Sequence, residues 1–233
     1  MTPRHVKLRV FRYTPNEDQE PRYETYEVPY KGGLTLLEAL EYIYENYEPI
    51  AFRRECRIFK CGSCAVMLNG KPVLACKKKI GEEELEKELT VEPLKGFPVV
   101  KDLVVDYKPL IMKWMKLRPF IERHEPIKDI PCKVRPTQYL EQKDYMRCIN
   151  CYACNTVCEP FLEGKFAGPA LMITLSRLAL DDRDEADRVL EAISEGLHEC
   201  TNCKKCDEVC PVGLKVSEVV VGKLRSMKPH TKV

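Results

Sequence analysis

The sequence predicts an α+β protein in two parts: a β-grasp domain over residues 1–106, then an all-α domain over 107–233. Three observations carry this. Period-two apolar alternation and a hairpin signal dominate the first hundred residues. From about residue 107 the strand pattern ends and only helical periodicity continues. Twelve of the thirteen cysteines fall into three tight groups, one in the first part and two in the second.

Taken in order, "HVKLRVFRY" sets Val6, Leu8 and Val10 against Lys7 and Arg9, the pattern of a half-buried strand. "RYETYEVPY" is its hairpin partner, ended by Pro29. In "LTLLEALEYIYENY" the stripe Leu36, Leu40, Ile43, Tyr47 is helical, with Thr35 and Glu38 spaced as a capping box. "CAVMLNGKPVLAC" is a hairpin about Asn69-Gly70, a pair that tolerates the positive φ of a type I′ turn. "LTVEPL" supplies a last strand. Strands, one crossing helix and a hairpin make a β-grasp.

In the second part "YKPLIMKWMKLRPFIE", "AGPALMITLSRLALDD", "RDEADRVLEAISEGLHEC" and "LKVSEVVVGKLRSM" read as helices. Residues 122–137, with three prolines, read as an extended crossing, and "KPHTKV" as a mobile tail.

Composition removes several classes of function. Lys+Arg 38 against Asp+Glu 36 leaves a net charge of +2, so no global field selects nucleic acid or an anionic membrane. No run approaches the ~18 apolar residues of a membrane span. "MTPRHVKLRVFRY" lacks the apolar core of a secretory signal. A cytoplasmic chain is expected, peripheral on the inner face of the cell membrane only through partner subunits. In a reducing compartment, clustered cysteines are metal thiolates rather than disulfides.

The first group is Cys56, Cys61, Cys64 and Cys76, close to the C-x4-C-x2-C…C spacing of a [2Fe–2S] centre. Gly62 allows close backbone approach, and the Asn69-Gly70 hairpin returns Cys76 toward Cys64. Zinc also accepts four thiolates, but its paired CxxC knuckles are absent. Arg53, Arg54, Arg57 and Lys60 crowd this loop; their field would offset cluster charge, or they form a solvated basic loop.

The second group, Cys148, Cys151, Cys154 and Cys158, recurs as Cys200, Cys203, Cys206 and Cys210, each displaced by 52 residues. Both are the C-x2-C-x2-C-x3-C run of two-cluster ferredoxins, in which the fourth cysteine ligates the other cubane. On that pattern Cys148, Cys151, Cys154 and Cys210 hold one [4Fe–4S] centre, and Cys158, Cys200, Cys203 and Cys206 hold a second. Cys132 belongs to no group and reads as an ordinary buried thiol.

With these motifs in place, nearly the whole chain resembles the iron–sulfur subunit of succinate dehydrogenase and fumarate reductase. "RRECRIFKCGSC" with "NGKPVLAC" matches that family's [2Fe–2S] segment, and "PVVKDLVVDY" its interdomain stretch. "CINCYACNTVC", "GPALM", "DDRDEA" and "CPVGL" match its helical domain in the same order. The resemblance implies a subunit without catalytic residues of its own. It would conduct single electrons between the FAD of a flavoprotein that interconverts succinate and fumarate and a membrane-anchor or cysteine-rich redox subunit. Cys56, Cys61, Cys64 and Cys76 would mark the entry, the cubane of Cys148, Cys151, Cys154 and Cys210 the middle, and the remaining centre the exit.

Two departures bear on the exit. Quinone-linked members have an apolar residue at the position of Cys203 and a [3Fe–4S] centre; here the fourth ligand is present, as in some archaeal relatives. Without Cys203 the third centre would be [3Fe–4S]. Those members also carry histidine at Thr201 and tryptophan near Leu162 and Glu163, whereas Trp114 lies elsewhere. Quinone or a thiol/disulfide partner therefore both stay open as exit. Outside this class, a stand-alone polyferredoxin, the subunit of another flavin-dependent dehydrogenase, and a zinc-binding module are the competing readings.

Overall fold

The computed structural model describes residues 4–124 and 134–229. Cys132 and the last four residues of the expected tail lie outside them. Two compact units are present: Met1–Tyr107 together with Ile149–Ala153, and Lys108–Cys148 together with Cys154–Val233.

The first unit is built on a five-stranded sheet: β1 (His5–Arg12), β2 (Arg22–Pro29), β3 (Ala65–Leu68), β4 (Lys71–Leu74) and β5 (Glu88–Glu92). Its order is β2-β1-β5-β3-β4, with β1 and β5 parallel and the other pairs antiparallel. A parallel pair needs a long crossover, and the chain between β1 and β5 carries α1 (Leu36–Asn46). This is the β-grasp arrangement.

Thr35 and Glu38 close the expected capping box over α1, with Glu38 N donating to Thr35 Oγ1 at 3.2 Å and Thr35 N to Glu38 Oε2 at 2.7 Å. Leu36, Leu40 and Ile43 are buried, but Tyr47 leaves the stripe. It caps the helix, packs edge-on against Tyr26 at 5.2 Å and donates its hydroxyl to Glu27 O. Asn69 (φ 48°) and Gly70 (φ 77°) form the left-handed hairpin tip. Asn69 also docks that tip on β5, through Thr90 N to Asn69 Oδ1 at 2.8 Å.

A hairpin of β6 (Val99–Lys101) and β7 (Val104–Val105) was not legible in the sequence. Asp102 turns it at φ 45° and is buried, accepting from Arg12 Nε (3.2 Å), Tyr13 N (3.1 Å) and Ala51 N (2.8 Å). Arg12 thus occupies an inward position on β1, paired with Asp102 and with Glu24 at 2.6 Å.

The second unit is helical: α2 (Lys108–Lys116), α3 (Pro136–Gln142), α4 (Ala153–Thr156), α5 (Glu159–Leu162), α6 (Pro169–Ala179), α7 (Arg188–Ser194), α8 (Lys205–Glu208) and α9 (Lys223–Ser226). A π-helical stretch, Ser217–Gly222, leads into α9. Pro136 begins α3, so the expected extended crossing ends before it. Proline is at home in a helix's first turn. The expected helix over 183–200 contracts to α7 and a 3-10 turn. The Asp181 and Asp184 carboxylates accept from Arg183 N and Ala186 N, which folds 181–187 into turns instead.

α6 is the centre of this unit. Leu171, Met172, Ile173 and Leu175 of α6 pack with Val189, Ala192, Leu197, Leu214 and Leu224. Cys148, Cys158, Cys200, Cys206 and Cys210 lie half-buried against that core.

Candidate iron–sulfur sites

The first cysteine loop runs from Cys56 into β3 and is wound by three left-handed residues, Arg57 (φ 59°), Phe59 (φ 49°) and Gly62 (φ 71°). That winding turns backbone N–H groups onto sulfur. Lys60 N and Cys61 N each donate to Cys56 Sγ at 3.3 Å, and Phe59 N donates to Cys76 Sγ at 3.3 Å. Cys64 is buried at the head of β3, and Ala75 N donates to its carbonyl at 3.0 Å, which sets Cys76 one residue beyond the hairpin pair.

Burial alone would raise the Cys61 thiol. Hydrogen bonds from Ser63 and Cys56 outweigh it and lower the group to about 7. Cys64 goes the other way, pushed up to about 12 by burial, with Cys76 and Cys61 as further causes. The cysteines of this group therefore sense one another through space. The basic residues are partly committed: Arg57 and Arg54 reach Glu41 at 2.9 and 3.6 Å, and Arg53 lies over the Tyr107 ring at 4.9 Å. Ile58 and Phe59 are exposed at the loop tip.

The two later runs share one backbone. Each opens on a 3-10 turn, Tyr145–Arg147 and Leu197–Glu199, and closes on α4 or α8. Between them, Asn150 (φ 50°) and Tyr152 (φ 61°) in one run match Asn202 (φ 55°) and Lys204 (φ 62°) in the other. The sequence repeat of 52 residues is thus a repeat of conformation. Non-glycine residues rarely adopt positive φ, so its recurrence at matched positions marks a loop shape imposed for a purpose.

The structure gathers four cysteines around one small cleft of roughly 20 Å³: Cys158 of the first run with Cys200, Cys203 and Cys206 of the second. Burial pushes Cys158 up to about 11, with Cys200 and Cys203 adding to it. Burial pushes Cys206 up to about 12, followed by Asp207, Cys200, Cys158 and Cys203. Cys158 and Cys206 thus resist ionisation, and a cationic centre beside them would reverse that balance. The donor set, four cysteines lining one cleft, fits an iron–sulfur cluster. Among the described residues no three His, Cys, Asp or Glu side chains close on a point as a single ion would need.

Cys210 faces elsewhere in its loop, where Leu214 N donates to its Sγ at 3.3 Å. The Arg147 guanidinium donates to Val212 O, tying the segment after Cys210 to the turn before Cys148. Cys151 belongs to the first compact unit, and an added Cβ at Gly62 would lie 2.9 Å from its Cα. Phe97, Tyr107 and Tyr152 cluster beside it, with Tyr107 and Tyr152 at 4.7 Å. Neither this aromatic grip nor the residue after each third cysteine, Asn155 and Asp207, was singled out by sequence reasoning. The displacement by 52 could have found the latter pair.

Comparison with known proteins matches residues 7–112 to a 2Fe-2S iron-sulfur cluster binding domain and residues 144–214 to a 4Fe-4S dicluster domain. The chain is 38% identical over 224 residues to a subunit of the fumarate reductase (CoM/CoB) of Methanothermobacter marburgensis. That match covers 95% of this chain but 44% of the relative, so the chain spans less than half its length. It is 35% identical over 243 residues to the fumarate reductase iron-sulfur subunit of Haemophilus influenzae, covering 97% of this chain and 94% of that one. Among solved structures, a chain of the Mycobacterium smegmatis Sdh1 complex superimposes with TM-score 0.85 at 28% identity, covering 97% of this chain and 95% of that one.

Proposed function

The chain belongs to the iron–sulfur subunit family of fumarate reductases and succinate dehydrogenases, and on that premise we propose that it wires a flavoprotein's FAD to a second redox partner. Iron–sulfur clusters supply the capacity to take up and release one electron at a time. The residues of this chain hold and tune those centres. It contributes no substrate base or nucleophile.

Cys56, Cys61, Cys64 and Cys76 hold the [2Fe–2S] entry, with Ile58 and Phe59 as the apolar tip available to the flavoprotein. Cys148, Cys151, Cys154 and Cys210 hold the middle [4Fe–4S] centre, an assignment that rests on spacing. Cys158, Cys200, Cys203 and Cys206 hold the exit centre as a second [4Fe–4S] rather than [3Fe–4S]. The observation that carries this reading is the presence of all four thiols on one cleft. The division of labour follows the two parts of the chain, 1–106 for entry and 107–233 for the two cubanes.

At the exit, Thr201 stands where quinone-linked members have histidine. A thiol/disulfide-linked, cysteine-rich partner is therefore favoured over quinone, in keeping with the CoM/CoB designation of the relative from Methanothermobacter marburgensis. Among the described residues no helix is long and apolar enough to cross a membrane.

The test is EPR and iron analysis of the protein purified anaerobically from its source. Co-purification with a flavoprotein and about ten irons per copy of this chain are expected, from one two-iron and two four-iron centres. An oxidised [3Fe–4S] signal at one spin per chain would overturn the second cubane. An isolated, monodisperse chain with no flavoprotein would favour a stand-alone carrier.

A further inference from the structure

The two cysteine runs are near copies, and they differ in charge immediately after the third cysteine. In the first run Asn155 Oδ1 accepts from Ala170 N at 3.0 Å, and the Cys154 thiol points at the same oxygen at 3.7 Å. In the second run Asp207 Oδ1 accepts from Ser217 N at 2.7 Å, and the Cys206 thiol points at it at 3.8 Å. Both side chains start a later helical segment. The first run shows that a neutral carboxamide suffices for that task, so the charge of Asp207 is surplus to it.

That charge is also held in place. Ser217 is buried and donates its hydroxyl to Asp207 Oδ2 at 2.5 Å, so the carboxylate is gripped on both oxygens. Ser217 itself lines the cleft with Cys158, Cys200, Cys203 and Cys206. Lys204 and Lys205, the cations of the same loop, are exposed, where water screens them most. The half-buried carboxylate acts at short range in a less polar setting.

We propose that Asp207 tunes the exit centre, lowering its reduction potential relative to the middle centre, whose corresponding neighbour is the neutral Asn155. Adding an electron makes a cluster more negative, and a fixed negative charge beside it disfavours that step; net charge and hydrogen bonding are the levers by which proteins set such potentials. The inference rests on the ligand reading above, namely that Cys206 and its three cleft neighbours hold one centre.

The test is an EPR-monitored redox titration of the purified complex carrying Asp207→Asn or Asp207→Ala. Asp207→Asn keeps the oxygen that Ser217 N needs and removes only the charge. The expected result is an upward shift in the exit-centre midpoint in both variants, with the other two midpoints unmoved and the thermal midpoint of Asp207→Asn close to wild type. An unmoved exit midpoint in Asp207→Asn, with a shift confined to Asp207→Ala, would overturn the proposal and reduce Asp207 to a cap. A parallel shift of all three centres would overturn it as well, as a global effect. Failure of the ligand reading would show separately, as a missing third centre in the wild-type spectrum and iron count.

Discussion

Gly62 holds φ +71°, and a Cβ added there would meet Ile149 O at 2.6 Å and Cys151 Cα at 2.9 Å. Both are backbone atoms, so no rotamer change relieves the clash. Gly62→Ala should cost about 1–3 kcal/mol from strain and overlap together, read as a lower thermal midpoint. The [2Fe–2S] EPR signal should broaden in the same variant because Cys61 and Cys64 flank the displaced residue. A benign, fully wild-type Gly62→Ala protein would contradict this. That a glycine in the sequence "KCGSC" marks close backbone approach was legible; that it meets the distant loop of Ile149 and Cys151 was not. The same holds at Arg12, whose place in the period-two pattern gives no hint that Asp102 waits inside.

At the scale of elements, α7 is fastened by one side chain. Arg188 is fully buried, with Nη2 2.9 Å from Asp184 Oδ2 and Nη1 3.0 Å from Glu191 Oε2. It also donates to Leu117 O and Phe120 O at 2.7 and 2.8 Å. These contacts bind the end of α2 and the segment after it to α7. Arg188→Ala would leave Asp184 buried with its main cation gone, at a cost of about 3–5 kcal/mol. Chemical denaturation monitored on the helical signal should show it, and a loss under about 1 kcal/mol would refute the role. Amphipathic helices were legible from periodicity. Their ends were less so, because Asp181 and Asp184 compete for backbone N–H groups. The β6–β7 hairpin escaped notice because strands this short show no alternation, and Asp102 rather than glycine makes its turn.

Over the whole molecule, the proposed function has stability and conduction draw on the same cysteines. Five of them rim the core built on α6, and Cys158 meets the second run across a long loop. Closing such a loop through metal–thiolate bonds restricts the unfolded chain and stabilises the fold. Removing iron from the purified protein with a chelator and oxidant should therefore abolish most of the helical circular dichroism while sparing much of the sheet. The sheet core of Val6, Leu8, Val10, Leu89 and Val91 contains no cluster cysteine. Retention of the helical signal in an iron-free chain would contradict the coupling.

The spacing of cysteines along the chain, by itself, pointed to [2Fe–2S] and [4Fe–4S] chemistry, showed the repeat of 52 residues and, with the apolar periodicity, set the α+β order of parts. Those properties are local: a few residues of loop fix which sulfurs can face one volume. What the tertiary structure decided is the surroundings of those sulfurs: Ser217 pins the Asp207 carboxylate beside the cleft of Cys158, Cys200, Cys203 and Cys206, a set the spacing already predicts. Loop closure over such separations depends weakly on the intervening length. Packing around α6 chooses the groups that surround the sulfurs, such as Asp207 and Ser217, and no periodicity in the chain records that choice.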